Sequence, residues 1–284
     1  MAGPRRKRWI TPPRWTGHLT DFVDRRMDRM SGGTTRSLEI TDSMLAKAQR
    51  AHGPDSWKTV NMMEAAAKRR DQVGDHERAL GLRIHVLTKR REHLGDEHRQ
   101  TLSAEYALSG TLLALDRPAE ARPYVDHALE CYVAELGPDD PASLAALERS
   151  ARIHLELGET AEGILKYQRA IDGFRSRGDE TRAQRAGINQ GRLLLGRGEY
   201  EESLAVFRDL VDRQGRLLGP DDPATLASLR DLALTLARMG RLPEARVVAQ
   251  NLVDGTTRVH GDDHPSTADA HELLARIETS LRAE

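Results

Sequence analysis

The sequence predicts an all-α protein: a solenoid of about five helix pairs with capping helices at its ends. Three observations predict it. The segment "LGPDDPASL" at 136–144 returns as "LGPDDPATL" at 218–226. Glycines in matching context recur at Gly53, Gly95, Gly137, Gly178, Gly219 and Gly261, at intervals of 42, 42, 41, 41 and 42 residues. A second turn falls half a period later, in "VGDHERAL" (73–80), "LDRPAEAR" (115–122), "LGETAEGI" (157–164), "RGEYEESL" (197–204) and "MGRLPEAR" (239–246). Five positions past each of these turn residues stands a small side chain or none: Ala79, Ala121, Gly163, Ser203 and Ala245. A fixed period near 42 with two turns per unit is the mark of a helical repeat array, in which each unit buries its apolar face only against its neighbours.

The elements follow in chain order. A lone helix at 38–52 plays the second-helix role ahead of five pairs, at 56–73/76–93, 98–115/118–135, 141–157/160–176, 180–197/200–217 and 223–239/242–259. A closing helix at 265–282 completes twelve. The apolar rhythm supports each; in the last pair Leu226, Leu229, Leu232, Ala233 and Leu236 repeat at i, i+3, i+4. Starts are marked by Asp140 and Asp222, which can accept from free amides, followed by Pro141 and Pro223 at the first helical position, where a missing N–H costs nothing. Gly158, Gly198 and Gly240 sit just past helix ends, where a left-handed backbone is needed. The repeated "DD" is therefore capping chemistry rather than a calcium site or an acidic catalytic pair.

Composition agrees. Charged residues make up 31%, hydrophobic ones 38% and aromatics 4%, which suits cores of Leu, Ala and Val. No apolar run approaches the roughly 20 residues needed to span a bilayer. Cys131 stands alone, as in a reducing cytoplasm. Arginine dominates the 43 basic residues, a bias suggesting a high-GC, actinobacterial-type source. The net charge of −1 is uneven: residues 1–36 carry nine Lys/Arg against three Asp. That segment reads as a separate, mostly flexible basic arm, and 37–284 as the array.

With these motifs in view, the chain resembles the tetratricopeptide repeat family, in the long form of about 42 residues found in kinesin light chains. The "LG-x-D/E-H/D-P-x-T/S-L" segments, the "L-x-x-L-A" of Leu229–Ala233 and the "G-x-x-x-E-A" turn at 240–245 carry the resemblance. It implies a right-handed superhelix whose concave groove is lined by the first helix of each pair. The fourth unit departs from the pattern, with Gly187, Gln190 and Gly191 at usually apolar sites, and is expected to pack loosely or to bend the array.

The resemblance also implies a non-enzymatic adaptor that holds a protein or peptide in the groove, in a regulatory or pathway-assembly role. Groove positions carried over unit by unit are Asn61, Glu64 and Lys68; Ser103 and Tyr106; Glu148 and Arg152; Arg185, Ile188, Asn189 and Arg192; and Arg230, Leu234 and Arg238. The last two units offer four arginines and no acid among these positions. Guanidinium forks capture carboxylates in pairs of bonds, so an acidic segment or a chain-terminal carboxylate is the expected ligand; the alternative is that these arginines are solvated or paired with neighbours such as Asp231. Exposed end helices leave a homodimer open as well.

Sharper chemistry finds no pattern. There is no G-x-x-x-x-G-K-S/T, G-x-S-x-G or H-E-x-x-H, so no catalytic, cofactor or metal residue is assigned. His98 and His264 share one repeat position and read as turn residues, and Cys131 as a small buried side chain in a second helix. The arm offers Arg5, Arg6, Lys7, Arg8, Trp9 and Trp15, which could neutralise phosphates and stack on bases. A transcription-linked regulator whose arm touches nucleic acid is thus the alternative reading. Residues 18–30 have helical amphipathic spacing.

Overall fold

The computed structural model describes residues 34–283, so the arm residues Arg5 to Arg8, Trp9 and Trp15, and the stretch 18–30, lie outside the described residues. Twelve helices account for the described chain: α1 (Thr34–His52), α2 (Trp57–Gln72), α3 (His76–Leu94), α4 (Arg99–Ala114), α5 (Pro118–Leu136), α6 (Pro141–Glu156), α7 (Thr160–Ser176), α8 (Glu180–Gly196), α9 (Tyr200–Leu217), α10 (Pro223–Arg238), α11 (Leu242–His260) and α12 (Pro265–Ala283). The expected helices are all present, with ends displaced by a few residues, and no strand occurs among the described residues.

Two kinds of turn alternate, and side-chain chemistry separates them. At the half-period turn after α6, Gly158 takes φ 86°. This lets the Glu159 N–H donate to the His154 carbonyl at 2.9 Å and the Gly158 N–H to that of Leu155 at 3.0 Å. Orphan carbonyls at the helix end are satisfied within six residues, and the chain reverses sharply. After α4 the same bonds form around Asp116, at φ 57° the one non-glycine left-handed residue among those described.

The full-period turns are longer and are held by a hydroxyl. Thr59, Thr101, Ser143, Thr225 and Thr267 donate back to the carbonyls of Gly53, Gly95, Gly137, Gly219 and Gly261 at 2.7 to 2.9 Å. Each next helix is then capped: by Ser56, Asp140 and Asp222, or by an imidazole Nδ1 of His98 or His264 that accepts an amide at 3.2 or 3.1 Å. The turn after α7 differs. Gly178 forms the short, half-period type of reversal, Asp179 caps α8 immediately, and Gln184 stands where the hydroxyl would be. The slightly shorter spacing on either side of Gly178 reflects this tighter turn.

The described chain divides into two compact units at Cys131 and Tyr132, inside α5. In the first, α1 packs on α2, α2 on α3 and α3 on α4. In the second, α6 to α12 pack in series, and the first helices α6, α8 and α10 also meet directly. The core of the second unit runs from Leu144, Leu155, Tyr167 and Phe174 to Leu204, Phe207, Leu210, Leu232 and Leu236. Burial holds the Tyr167 phenol well above its ordinary pKa, so it stays neutral.

The small residues past each half-period turn are where paired helices touch. Ala79, Ala121, Ser203 and Ala245 are fully buried. At Gly163 a Cβ would stand 2.6 Å from Leu155 Cδ2 and 3.0 Å from its backbone nitrogen, so the gap admits no side chain. The fourth unit is tight at Gly191, contrary to expectation. The fully buried Phe207 ring of α9 fills that space, 2.7 Å from where a Gly191 Cβ would lie.

Candidate interaction surface

Every second-unit groove position except the partly buried Ile188 and Leu234 carries a polar or charged side chain, and the side chains of α6, α8 and α10 reach one another. Asn189 Nδ2 donates to Glu148 Oε1 at 3.3 Å, and Arg185 lies 3.9 Å from the same carboxylate. Arg192 Nε donates to Asp231 Oδ2 at 2.7 Å. Arg152 reaches Glu156, one turn along α6, at 2.7 Å. Of the residues carried over by pattern, Glu148 meets Arg185 and Asn189 across α6 and α8, while Arg192 reaches α10 through Asp231, which the pattern does not include.

Two of the four arginines have acidic neighbours outside the carried-over positions of the last two units. Arg192 is matched by Asp231, which lies one residue past Arg230 on α10, and Arg185 by Glu148 on α6. The partners sit about 40 residues apart in the chain, one repeat away, and meet only because first helices abut. Arg230 and Arg238 differ: both are exposed, and no described carboxylate pairs with either. They stand eight residues apart on α10, about 12 Å along its axis, with partly buried Leu234 between them. Arg192, more than half exposed, commits Nε to Asp231.

In the first unit the carried-over positions separate. Glu64 turns toward α3, where Arg83 and Arg90 reach it at 3.2 and 3.0 Å. Arg83 also donates to Asp71 at 2.7 Å, and the buried Thr111 hydroxyl of α4 donates to Asp71 at 3.0 Å. This network ties α2, α3 and α4 together from within. Burial lowers the pKa of Arg90, and the Glu64 charge opposes that shift. Asn61 is buried, whereas Lys68 and Ser103 are exposed and Tyr106 is half-buried.

Cys131 is half-buried rather than a core residue. Its sulfur lies 3.6 Å from His127 Nε2, and His127 Nδ1 meets the fully buried Glu105 at 2.7 Å. Arg91 holds the other Glu105 oxygen at 2.6 Å, so the carboxylate is a buried charge with two partners. His127 precedes Cys131 by four residues on α5, a spacing readable from sequence, whereas Glu105 comes from the facing helix. Among the described residues, no group of three or more His, Cys, Asp or Glu is arranged to hold a metal ion, and no helix is long and apolar enough to cross a membrane.

A model of the tetratricopeptide repeat matches residues 100–176 and 182–250, just over half of the chain. The chain belongs to the tetratricopeptide repeat family. The break between the two matches falls at the shortened turn around Gly178. No curated protein matches this tetratricopeptide repeat chain. Solved structures do. A putative kinesin light chain from Podosopora anserina, with nearly identical TPR-like repeats, is 19% identical over 71% of this chain and 96% of its own, with a TM-score of 0.63. BtubC (BKLC) from P. vanneervenii is 16% identical over 86% and 94%, at 0.58. The quorum sensor NprR from B. thuringiensis, in its apo form, is 17% identical over 92% of this chain and 68% of its own, at 0.63. NprR in complex with its cognate peptide NprX scores 0.59 at 16% identity. These likenesses establish the tetratricopeptide solenoid fold.

Proposed function

We propose that the protein is a non-catalytic interaction scaffold that takes a peptide or protein partner on the face formed by α6, α8 and α10. The observation that carries this is the pair Arg230 and Arg238: exposed, unmatched by acid, and flanking Leu234. Two unneutralised guanidiniums around an aliphatic side chain suit a segment with acidic residues on either side of an apolar one. An extended strand advances roughly 3.3 Å per residue, so the two acids would lie about four residues apart. A pre-ordered helical face loses little entropy on binding. NprR, one of the structural neighbours, holds its cognate peptide NprX, which supports a peptide ligand here.

The polar residues around the pair set selectivity. Arg185, Asn189 and Glu148 form a neutralised patch on one side, and Arg192 with Asp231 another. A ligand must therefore present acid at α10 rather than anywhere on the face. In this reading the array from residue 37 onward is the binding body, acting in the cytoplasm in a regulatory or assembly role. Selection of random peptides displayed on phage against the full-length chain tests the reading. It expects enrichment of segments with two acidic residues three to five positions apart. Enrichment of basic or purely apolar segments, or none at all, would overturn it.

A further inference from the structure

Gln190 is an amide at a position usually apolar in such repeats, and the fold gives it an unusual setting. It is 2% exposed, yet neither its carbonyl nor its amino group hydrogen-bonds to any described protein atom. It stands in the floor of a cavity of about 360 Å³ opened between the second helices α7 and α9. Gly187, one turn earlier on α8, shares the floor, and the apolar walls are Ile171, Val206 and Leu210. At the rim Arg175 lies between Asp172 and Asp209, at 3.7 and 3.4 Å.

A carboxamide so placed has a donor and an acceptor side by side with no hydrogen bond from the protein, although Gln168 of α7 also lines the cavity. Burying such a group unpaired is unfavourable, and helical repeats usually place an apolar side chain here instead. Gly187 keeps the space open: a Cβ there would already stand 3.1 Å from Leu210 Cδ2. The fourth unit therefore uses its two glycines differently, with Gly191 closed by Phe207 and Gly187 left facing the cavity.

We propose that this cavity is a binding site for a small neutral planar molecule that carries an amide edge, either a primary carboxamide or a lactam. The edge pairs with Gln190 in two parallel hydrogen bonds, and the ring lies against Ile171, Val206 and Leu210. The volume falls in the range of small-ligand pockets. Charge disfavours carboxylates: the floor around Gln190 offers no counter-charge, and at the rim Arg175 is shared between Asp172 and Asp209, which leaves the entrance with a net charge of −1. None of the lining residues belongs to the Arg230–Arg238 face, so this site stands or falls apart from the proposed peptide site.

The test uses the full-length chain, ¹⁵N-labelled at glutamine, titrated with nicotinamide and separately with nicotinate, its near-isosteric carboxylate. The expected result is a saturable shift of the Gln190 side-chain NH₂ resonance with nicotinamide, and binding at least ten-fold weaker with nicotinate. Gly187→Leu, which fills the space, should weaken nicotinamide binding at least ten-fold. Gln190→Leu, which replaces the amide edge with an aliphatic group of similar size, should do so too, with circular dichroism confirming that the variants fold. No shift with nicotinamide, equal affinity for both probes, or unchanged affinity in folded Gly187→Leu or Gln190→Leu would overturn the proposal.

Discussion

Replacing Gly191 by alanine measures how closely α8 and α9 fit. The new Cβ would sit 2.7, 2.8 and 3.0 Å from Cζ, Cε2 and Cε1 of Phe207. Carbon atoms prefer about 3.5–4.0 Å, so the ring must retreat by about 0.8 Å. It has no free direction, because Phe207 is fully buried in the cluster with Leu204, Leu210, Leu232 and Leu236. Overpacking of this size costs about 1–3 kcal/mol. Alanine regains about 0.8–1.0 kcal/mol of helix propensity over glycine. The net expectation is a loss of about 1 kcal/mol. Gly215 of α9 is the control: nothing lies within 4 Å of a Cβ built there, so Gly215→Ala should gain about 0.5–1 kcal/mol. Urea unfolding gives the totals, and amide exchange over α8 and α9 gives the local effect, since one hairpin of a serial array can open alone. Adding Phe207→Leu to Gly191→Ala should recover about 1 kcal/mol relative to the sum of the single changes. A gain for Gly191→Ala as large as that for Gly215→Ala would show that Phe207 leaves room for the added Cβ.

Three further outcomes follow from the turns and surface pairs. Asp116→Gly should raise unfolding free energy by about 0.5–1 kcal/mol, since aspartate at φ 57° is strained where glycine is not; a loss on urea denaturation would count against it. Thr225→Val keeps the shape but removes the hydroxyl that holds the Gly219 carbonyl, and should cost about 1 kcal/mol in the same assay. The Arg213 guanidinium holds the Glu180 carboxylate pKa below its ordinary value, so the pair stabilises fully above the ordinary carboxylate range. That contribution is lost as pH falls through the lowered value, and partial exposure limits it to under about 1 kcal/mol. Glu180→Gln should therefore reduce stability at pH 7 slightly and leave that at pH 2 unchanged.

Helix number and order, the Asp140 and Asp222 caps and the alternation of two turn classes could be read from the sequence, because each rests on contacts within about six residues; Gly178, grouped by context with the full-period turns, makes the shorter reversal instead. Asp140 caps the helix it precedes, and Ser143 reaches back to Gly137, whatever surrounds them. What escaped reading depends on neighbours a repeat away. The Gly191 space is filled by Phe207 on the facing helix, so two glycines looked like a weakness that only one of them creates. Glu64 turns inward to arginines of α3 that no groove pattern includes, whereas Asp231, readable in the sequence as a neighbour able to pair with these arginines, meets Arg192 across 39 residues. The His127 to Cys131 spacing was visible, but the buried Glu105 that orients the imidazole was not. Serial packing preserves local rules and hides the pairings between units.

The affinity of a display-selected acidic peptide for the wild-type chain and for the Arg230→Glu, Arg238→Glu double variant, measured by calorimetry, bears most directly on how this tetratricopeptide array works. Removing two charge-assisted contacts and installing repulsion should weaken binding at least ten-fold. Higher salt should weaken the wild-type complex more than that of the variant. Equal affinities for the two proteins, with the variant folded, would show that the face of α6, α8 and α10 is not where the partner is held.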